Sequence, residues 1–156
     1  MPLLHFRCLL SAVPLLAMMM SASLVTAEEP DWNQFRGPHA DGTSQATGLP
    51  TTWSEKENIV WKTPVHGRAW SSPVVWKDQV WVTTSTKDGK ELGVVCVDFN
   101  TGKILHDKKI FDVEKPQYID PSNSHASSTP IIEEGRIYVH YGAYGTACLD
   151  TKTAKP

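Results

Sequence analysis

The sequence is poor in the features that usually announce chemistry. It has three cysteines in 156 residues, none next to another, and only Cys96 and Cys148 lie beyond the N-terminal apolar stretch. That excludes a disulfide-framework protein. His39, His66, His106, His125 and His140 show no metal-ligand spacing with each other or with cysteine. No Ser-His-Asp order, phosphate-cradling glycine loop or EF-hand loop is present. Neither sign of charge dominates: 15 basic residues face 17 acidic ones, a formal charge of −2. Nucleic acid and anionic membranes are therefore not expected partners. A 3.6-residue apolar period is also missing after residue 27, which leaves an all-β fold as the expectation.

One long uncharged run exists, at the N-terminus. His5 and Arg7 precede a stretch from Cys8 to Ala27 without charge, ending Leu24-Val25-Thr26-Ala27 before Glu28-Glu29. This pattern predicts a signal peptide over 1–27, cleaved after Ala27. Export follows, to the periplasm or the extracellular space, with no membrane span after cleavage. The alternative is an uncleaved anchor, because the run is long enough to span. Ser11, Pro14, Ser21 and Ser23 argue against it. Cys8 has no lipobox before it.

What the rest of the chain does have is a repeat. Ser71-Ser72-Pro73-Val74-Val75-Trp76-Lys77-Asp78-Gln79-Val80-Trp81-Val82 returns as Ser128-Thr129-Pro130-Ile131-Ile132-Glu133-Glu134-Gly135-Arg136-Ile137-Tyr138-Val139, an offset of 57 from Pro73 to Pro130. Val95-Cys96-Val97-Asp98 returns as Ala147-Cys148-Leu149-Asp150, an offset of 52 from Cys96 to Cys148. β-branched and aromatic runs with turn signals between them predict strands at 73–76, 79–84, 92–99 and 104–111. Lys87-Asp88-Gly89-Lys90 is a hairpin signal. The second copy spells the first three of these strands, the third around Thr146–Asp150. After Lys155 only Pro156 follows, so the array reads as one unit plus most of another, cut short. A period of this size is expected of a modular β architecture. Ile59–Thr63 is expected to be a further short strand. Trp32 and Phe35 are expected to tuck an N-terminal arm onto an apolar surface.

The chain resembles the quinoprotein-like (PQQ-like) β-propeller repeat proteins. The phrase Val97-Asp98-Phe99-Asn100-Thr101-Gly102-Lys103-Ile104-Leu105 is similar to that repeat's apolar-Asp-x-x-Thr-Gly-Lys-apolar-apolar pattern. Asp31-Trp32-Asn33-Gln34-Phe35-Arg36-Gly37-Pro38 looks like the start of secreted bacterial members. Two departures stand out. His106 takes a place where the repeat usually carries Trp, and Ala154 stands where the turn wants glycine, as at Gly102. The resemblance implies four-stranded antiparallel propeller blades, incomplete here against the about seven or eight of a full propeller. The organisation then reads as 1–27 signal peptide, 28–66 arm and first short strand, 67–111 blade 1, 112–127 connector and 128–156 partial blade 2.

In a propeller the first strand of each blade lines the central channel. The offset of 57 sets His125 opposite Arg68 and Ser127 opposite Trp70. Arg68, Trp70, Ser71, His125 and Ser128 are accordingly the candidate ligand-binding residues, near the channel mouth. The alternative is that Ser71, Ser72, Ser128 and Thr129 cap turns. All six tryptophans lie between Trp32 and Trp81. They read as packing between blades rather than as a stacking platform. Asp98 and Asp150 read as turn formers. No catalytic residue and no metal ligand stands out.

Three functions follow. One is an exported binding or scaffold module without catalysis of its own, whose partner is an envelope protein or a small molecule. Another is a truncated product without activity. The last is a fragment of a dehydrogenase that oxidises an alcohol or sugar with pyrroloquinoline quinone. That cofactor enters by resemblance alone, and the adjacent cysteine pair that binds it in such enzymes is missing. An open third strand and an apolar outer face on the second unit are expected to favour self-association.

Overall fold

The computed structural model describes residues 31–156; the signal-peptide reading lies outside them. Seven strands form two antiparallel sheets. The first is β1 Val74–Trp76, β2 Gln79–Ser85, β3 Glu91–Asp98 and β4 Ile104–Asp112, in the order β1-β2-β3-β4. The second is β5 Ile131–Glu133, β6 Arg136–His140 and β7 Thr146–Asp150, in the order β5-β6-β7. A single 3₁₀ turn, Gly142–Tyr144, connects β6 to β7. The described residues contain no α-helix, so none is long and apolar enough to cross a membrane.

The turns repeat atom for atom. Asp98 Oδ1 accepts bonds from the Thr101 amide and hydroxyl, both at 2.7 Å. Asp150 Oδ1 does the same with Thr153, both at 2.8 Å. Each turn closes on a left-handed residue: Gly102 at φ +72° and Ala154 at φ +52°. The left-handed region favours glycine, so the second turn carries backbone strain that the first does not.

Registers decide what each sheet buries. Val74, Trp81, Cys96 and His106 stand abreast on one face of the first sheet. In the second sheet Ile132, Ile137 and Leu149 stand abreast on one face. These two faces join in one core, with Val74, Trp81, Cys96, Ile132, Ile137 and Leu149 all fully buried. The Tyr141 hydroxyl reaches across to donate to the Gly93 carbonyl. His106, in place of the expected Trp, still stacks on Trp81 with centroids 5.7 Å apart and planes 22° apart. The offsets show that the two faces are not equivalent. Ile132, Ile137 and Leu149 correspond to Val75, Val80 and Val97, on the far side of the first sheet. The sheets stack front to back, as units of a linear or circular array do.

The back of the first sheet, with Val95 and Val97 buried, is covered by the segment around Trp61–Gly67. The expected strand at Ile59–Thr63 does not form. This stretch crosses the sheet face instead of running along an edge, so no ladder is available to it. It is held by single bonds: Trp61 Nε1 donates to the Phe99 carbonyl at 2.8 Å, and Thr84 Oγ1 donates to the His66 carbonyl at 2.6 Å.

The front of the second sheet is mixed: Ile131, Tyr138 and Cys148 keep the places of Val74, Trp81 and Cys96, but polar residues share the face. Glu133, His140 and Thr146 occupy the positions of Trp76, Thr83 and Val94, and all three are exposed. Tyr138 donates to Glu133 Oε1 at 2.8 Å, and His140 pairs with Thr146 Oγ1 at 2.8 Å. Ile131, 50% exposed, is the large aliphatic side chain on this face.

The N-terminal arm fastens the sheets together. The Trp32 carbonyl accepts from the Val75 amide at 2.8 Å, and the Asn33 carbonyl from the Ile132 amide at 2.9 Å. Trp32 is half-buried against Gly37. Phe35 is not tucked in; it is exposed, with the Arg36 guanidinium over its ring. Among the tryptophans, Trp81 and Trp76 pack in the core, whereas Trp53 and Trp70 are exposed.

Candidate functional site

The approaches to β1 and β5 run side by side at the seam between the sheets. Arg68 and Ser85 exchange backbone bonds at 2.8 and 3.2 Å. The Trp70 amide donates to the Ala126 carbonyl at 3.2 Å, and the Ser72 amide to Thr129 Oγ1 at 3.2 Å. Thr83 Oγ1 lies within donating distance of the Ala126 and Ser128 carbonyls, at 3.2 and 3.3 Å. The equivalence read from the offset of 57 is thus a physical neighbourhood.

The five candidate residues separate within it. Ser71 is buried and its hydroxyl accepts from the Thr83 amide at 3.1 Å, so it is structural. Arg68 is half-buried and donates from Nη1 to the Asn123 carbonyl at 3.3 Å. Trp70 is 49% exposed and does not line the cleft described next. His125 and Ser128 alone come together, in a cleft of about 190 Å³ shared with Gln117, Ile119, Ser127, Tyr141 and Tyr144.

The cleft is rigidly built. His125 Nε2 lies 3.1 Å from the Gln117 carbonyl, which only accepts, so Nε2 carries the proton. The same ring rests on Gly89, where a Cβ would fall 2.4 Å from Cε1 and 2.5 Å from Nδ1. The Gln117 amide donates to Tyr144 Oη at 2.6 Å. The rings of His125 and Tyr144 lie 6.0 Å apart at 50°. Ser127 Oγ is 2.6 Å from Asn123 Oδ1 and 2.7 Å from the Ser124 carbonyl. Gln117 and Tyr144 were not foreseen from the sequence. The available signal was Tyr141-Gly142-Ala143-Tyr144-Gly145, two aromatics where the first copy has a charged hairpin.

Two other clefts are weaker candidates. One of about 230 Å³, between Trp76 and Thr151, is spanned by bonds that serve packing: Lys77 Nζ to Glu134 at 2.6 Å and Gln79 Nε2 to the Thr151 carbonyl at 3.0 Å. One of about 110 Å³ contains His66, whose Nε2 lies 2.9 Å from Asp107 Oδ1. The nearby Thr84 hydroxyl gives its proton to the His66 carbonyl and not to the His66 ring.

Among the described residues the two cysteines do not form the adjacent pair that the quinone of the resemblance would use. Cys96 is buried and Cys148 exposed, on different sheets, and both are free. Burial, with a smaller contribution from Asp98, pushes the Cys96 thiol up to about 12. No group of His, Cys, Asp and Glu among the described residues is placed to hold a metal ion. The chain matches no protein-family model and no curated protein.

Proposed function

We propose that this chain is an exported, non-catalytic binding module made of β-propeller-type blades, with the His125–Ser128 cleft as its ligand site. The observation that carries the reading is that cleft: its walls come from the connector after β4 and from the β6–β7 turn, and it presents polar atoms without a nucleophile–base pair. Front-to-back stacking of repeat-equivalent strands supports the propeller assignment. The ligand is a small molecule, or a polar group displayed by an envelope protein.

The test is amide NMR of the purified chain, titrated with a panel of neutral, anionic and cationic small molecules. Shifts concentrated at 117–128 and 141–145 are the expected result. Dye-linked oxidation of an alcohol or sugar that depends on added pyrroloquinoline quinone and calcium would overturn the non-catalytic reading.

A further inference from the structure

We infer that the cleft takes a neutral, polyhydroxylated six-membered ring, the size of one sugar residue. The inference rests on the binding-module reading and names the ligand of that same site.

The first reason is charge. No Asp, Glu, Lys or Arg lines the cleft. An ion placed there loses hydration without a counter-charge, and that cost disfavours both anions and cations. The ligand is therefore neutral.

The second reason is the pattern of donors and acceptors. Tyr144 Oη already accepts from the Gln117 amide, so its own proton points to a further acceptor. Ser127 has its proton engaged with Asn123 or the Ser124 carbonyl and keeps a lone pair. Ser128 Oγ has no hydrogen-bond partner among the described residues and serves as donor and acceptor together. A donor, an acceptor and a dual group, beside the polar atoms of Gln117 and His125, match vicinal hydroxyls, each of which both donates and accepts. A carbonyl, an amide or an apolar ring leaves part of the set unmet, and unmet polar groups in a cleft weaken binding.

Shape supplies the third reason. His125 and Tyr144 form an aromatic wall, and the C–H face of a sugar ring is an apolar surface that fits against one. The volume, about 190 Å³, falls below the ~300–1,000 Å³ of sites for larger ligands and matches a single ring. His125 is held by its bond to Gln117 and by contact with Gly89, so little ordering is needed on binding.

The experiment is an amide NMR titration of the purified chain with methyl α-D-glucopyranoside, methyl β-D-galactopyranoside, myo-inositol and maltotriose, with acetate and tetramethylammonium as charged comparators. At least one neutral probe should shift Gln117, His125, Ser128 and Tyr144 with millimolar affinity. Binding of maltotriose alone would identify the ring as part of a glycan, and binding of the methyl glycosides would identify a free unit. Ser128→Ala keeps the backbone carbonyl that faces Thr83 and should weaken binding about three- to ten-fold without disturbing the spectrum elsewhere. Tyr144→Phe should do the same. Shifts from acetate or tetramethylammonium with silent neutral probes would overturn the sugar inference and leave the binding module standing. Sugar shifts that map to another surface would overturn this site. Silence from every probe would overturn both the inference and the reading beneath it.

Discussion

Trp81 and Tyr138 occupy the same position of the repeat and meet opposite surroundings. Each sits on the central strand pair, Trp81 between Val74 and Cys96, Tyr138 between Ile131 and Cys148. Trp81 is fully buried against the second sheet, stacked on His106, with its Nε1 donating to Gln79 Oε1 at 3.1 Å. Tyr138 lies on the outer front, with its hydroxyl on Glu133. Trp81→Ala should lose about 3–5 kcal/mol, a large share of a typical domain's stability. Tyr138→Ala should leave the urea midpoint nearly unchanged. Equal losses for the two would show that the outer front is covered in solution.

The paired turns give a second prediction. At Gly102 a Cβ would fall 2.7 Å from the Trp61 ring, and the backbone is left-handed. Gly102→Ala therefore combines about 1–2 kcal/mol of backbone strain with displacement of Trp61 from the Phe99 carbonyl. It should destabilise by more than about 2 kcal/mol. Ala154→Gly relieves similar strain, but it removes a methyl from the core, worth about 0.8 kcal/mol, and loosens the unfolded chain. The terms offset, and chemical denaturation should find that variant near the parent.

How much of this was legible in the sequence depends on which residues spoke for themselves. The seven strands were legible because alternation and turn residues act locally; Asp98 and Asp150 fix their turns with their own side chains. The Ile59–Thr63 strand was misread because its β-branched pattern is genuine, yet the stretch crosses a sheet face where no ladder can form. The outer front is more polar than expected, beside Ile131, Tyr138 and Cys148, because the repeat was matched strand by strand. Scored position by position, Glu133, His140 and Thr146 already stand where Trp76, Thr83 and Val94 do. Of the residues lining the candidate cleft, His125 and Ser128 were named from the repeat alignment. Tyr144 and Gln117 did not, because the connections that bring them there have no counterpart in the first copy.

Cysteine reactivity separates the two copies as well. Cys96 is buried and its thiol is pushed up to about 12, while Cys148 is exposed. Iodoacetamide at pH 8 should label Cys148 and spare Cys96 until denaturant is added, as read by peptide mass spectrometry. The same shift sets a sign for alkaline stability. Above the ordinary thiol value the unfolded chain releases the Cys96 proton and the folded chain keeps it, so stability falls as pH rises from about 9 towards 12. Burial also pushes the Tyr141 phenol up, which acts in the same direction. Cys96→Val should flatten that alkaline limb; an unchanged pH profile would show that the thiol does not contribute.

The arm gives the last prediction. The first strands of the two sheets, β1 and β5, are short and exchange few bonds with their neighbours. Their outer amides at Val75 and Ile132 are satisfied by the Trp32 and Asn33 carbonyls. Asp31 Oδ1 adds a bond from the Lys77 amide at 2.9 Å. One three-residue segment therefore closes an edge on both sheets at once, and the half-buried Trp32 ring packs on Gly37 within the arm, which fixes the arm's own shape. Trp32→Ala removes that packing while keeping the carbonyl. The arm should then detach at small cost, and the Val75 and Ile132 amides should exchange with deuterium at least about ten-fold faster, because local opening is what limits their exchange. Val80 and Val95, deeper in the first sheet, should be unaffected. Asn33→Ala is the control: its Oδ1 is buried without a partner, so the side chain contributes no bond and both amides should stay protected. If Trp32→Ala leaves Val75 and Ile132 as protected as before, the arm is held by its backbone alone and the ring is not its anchor.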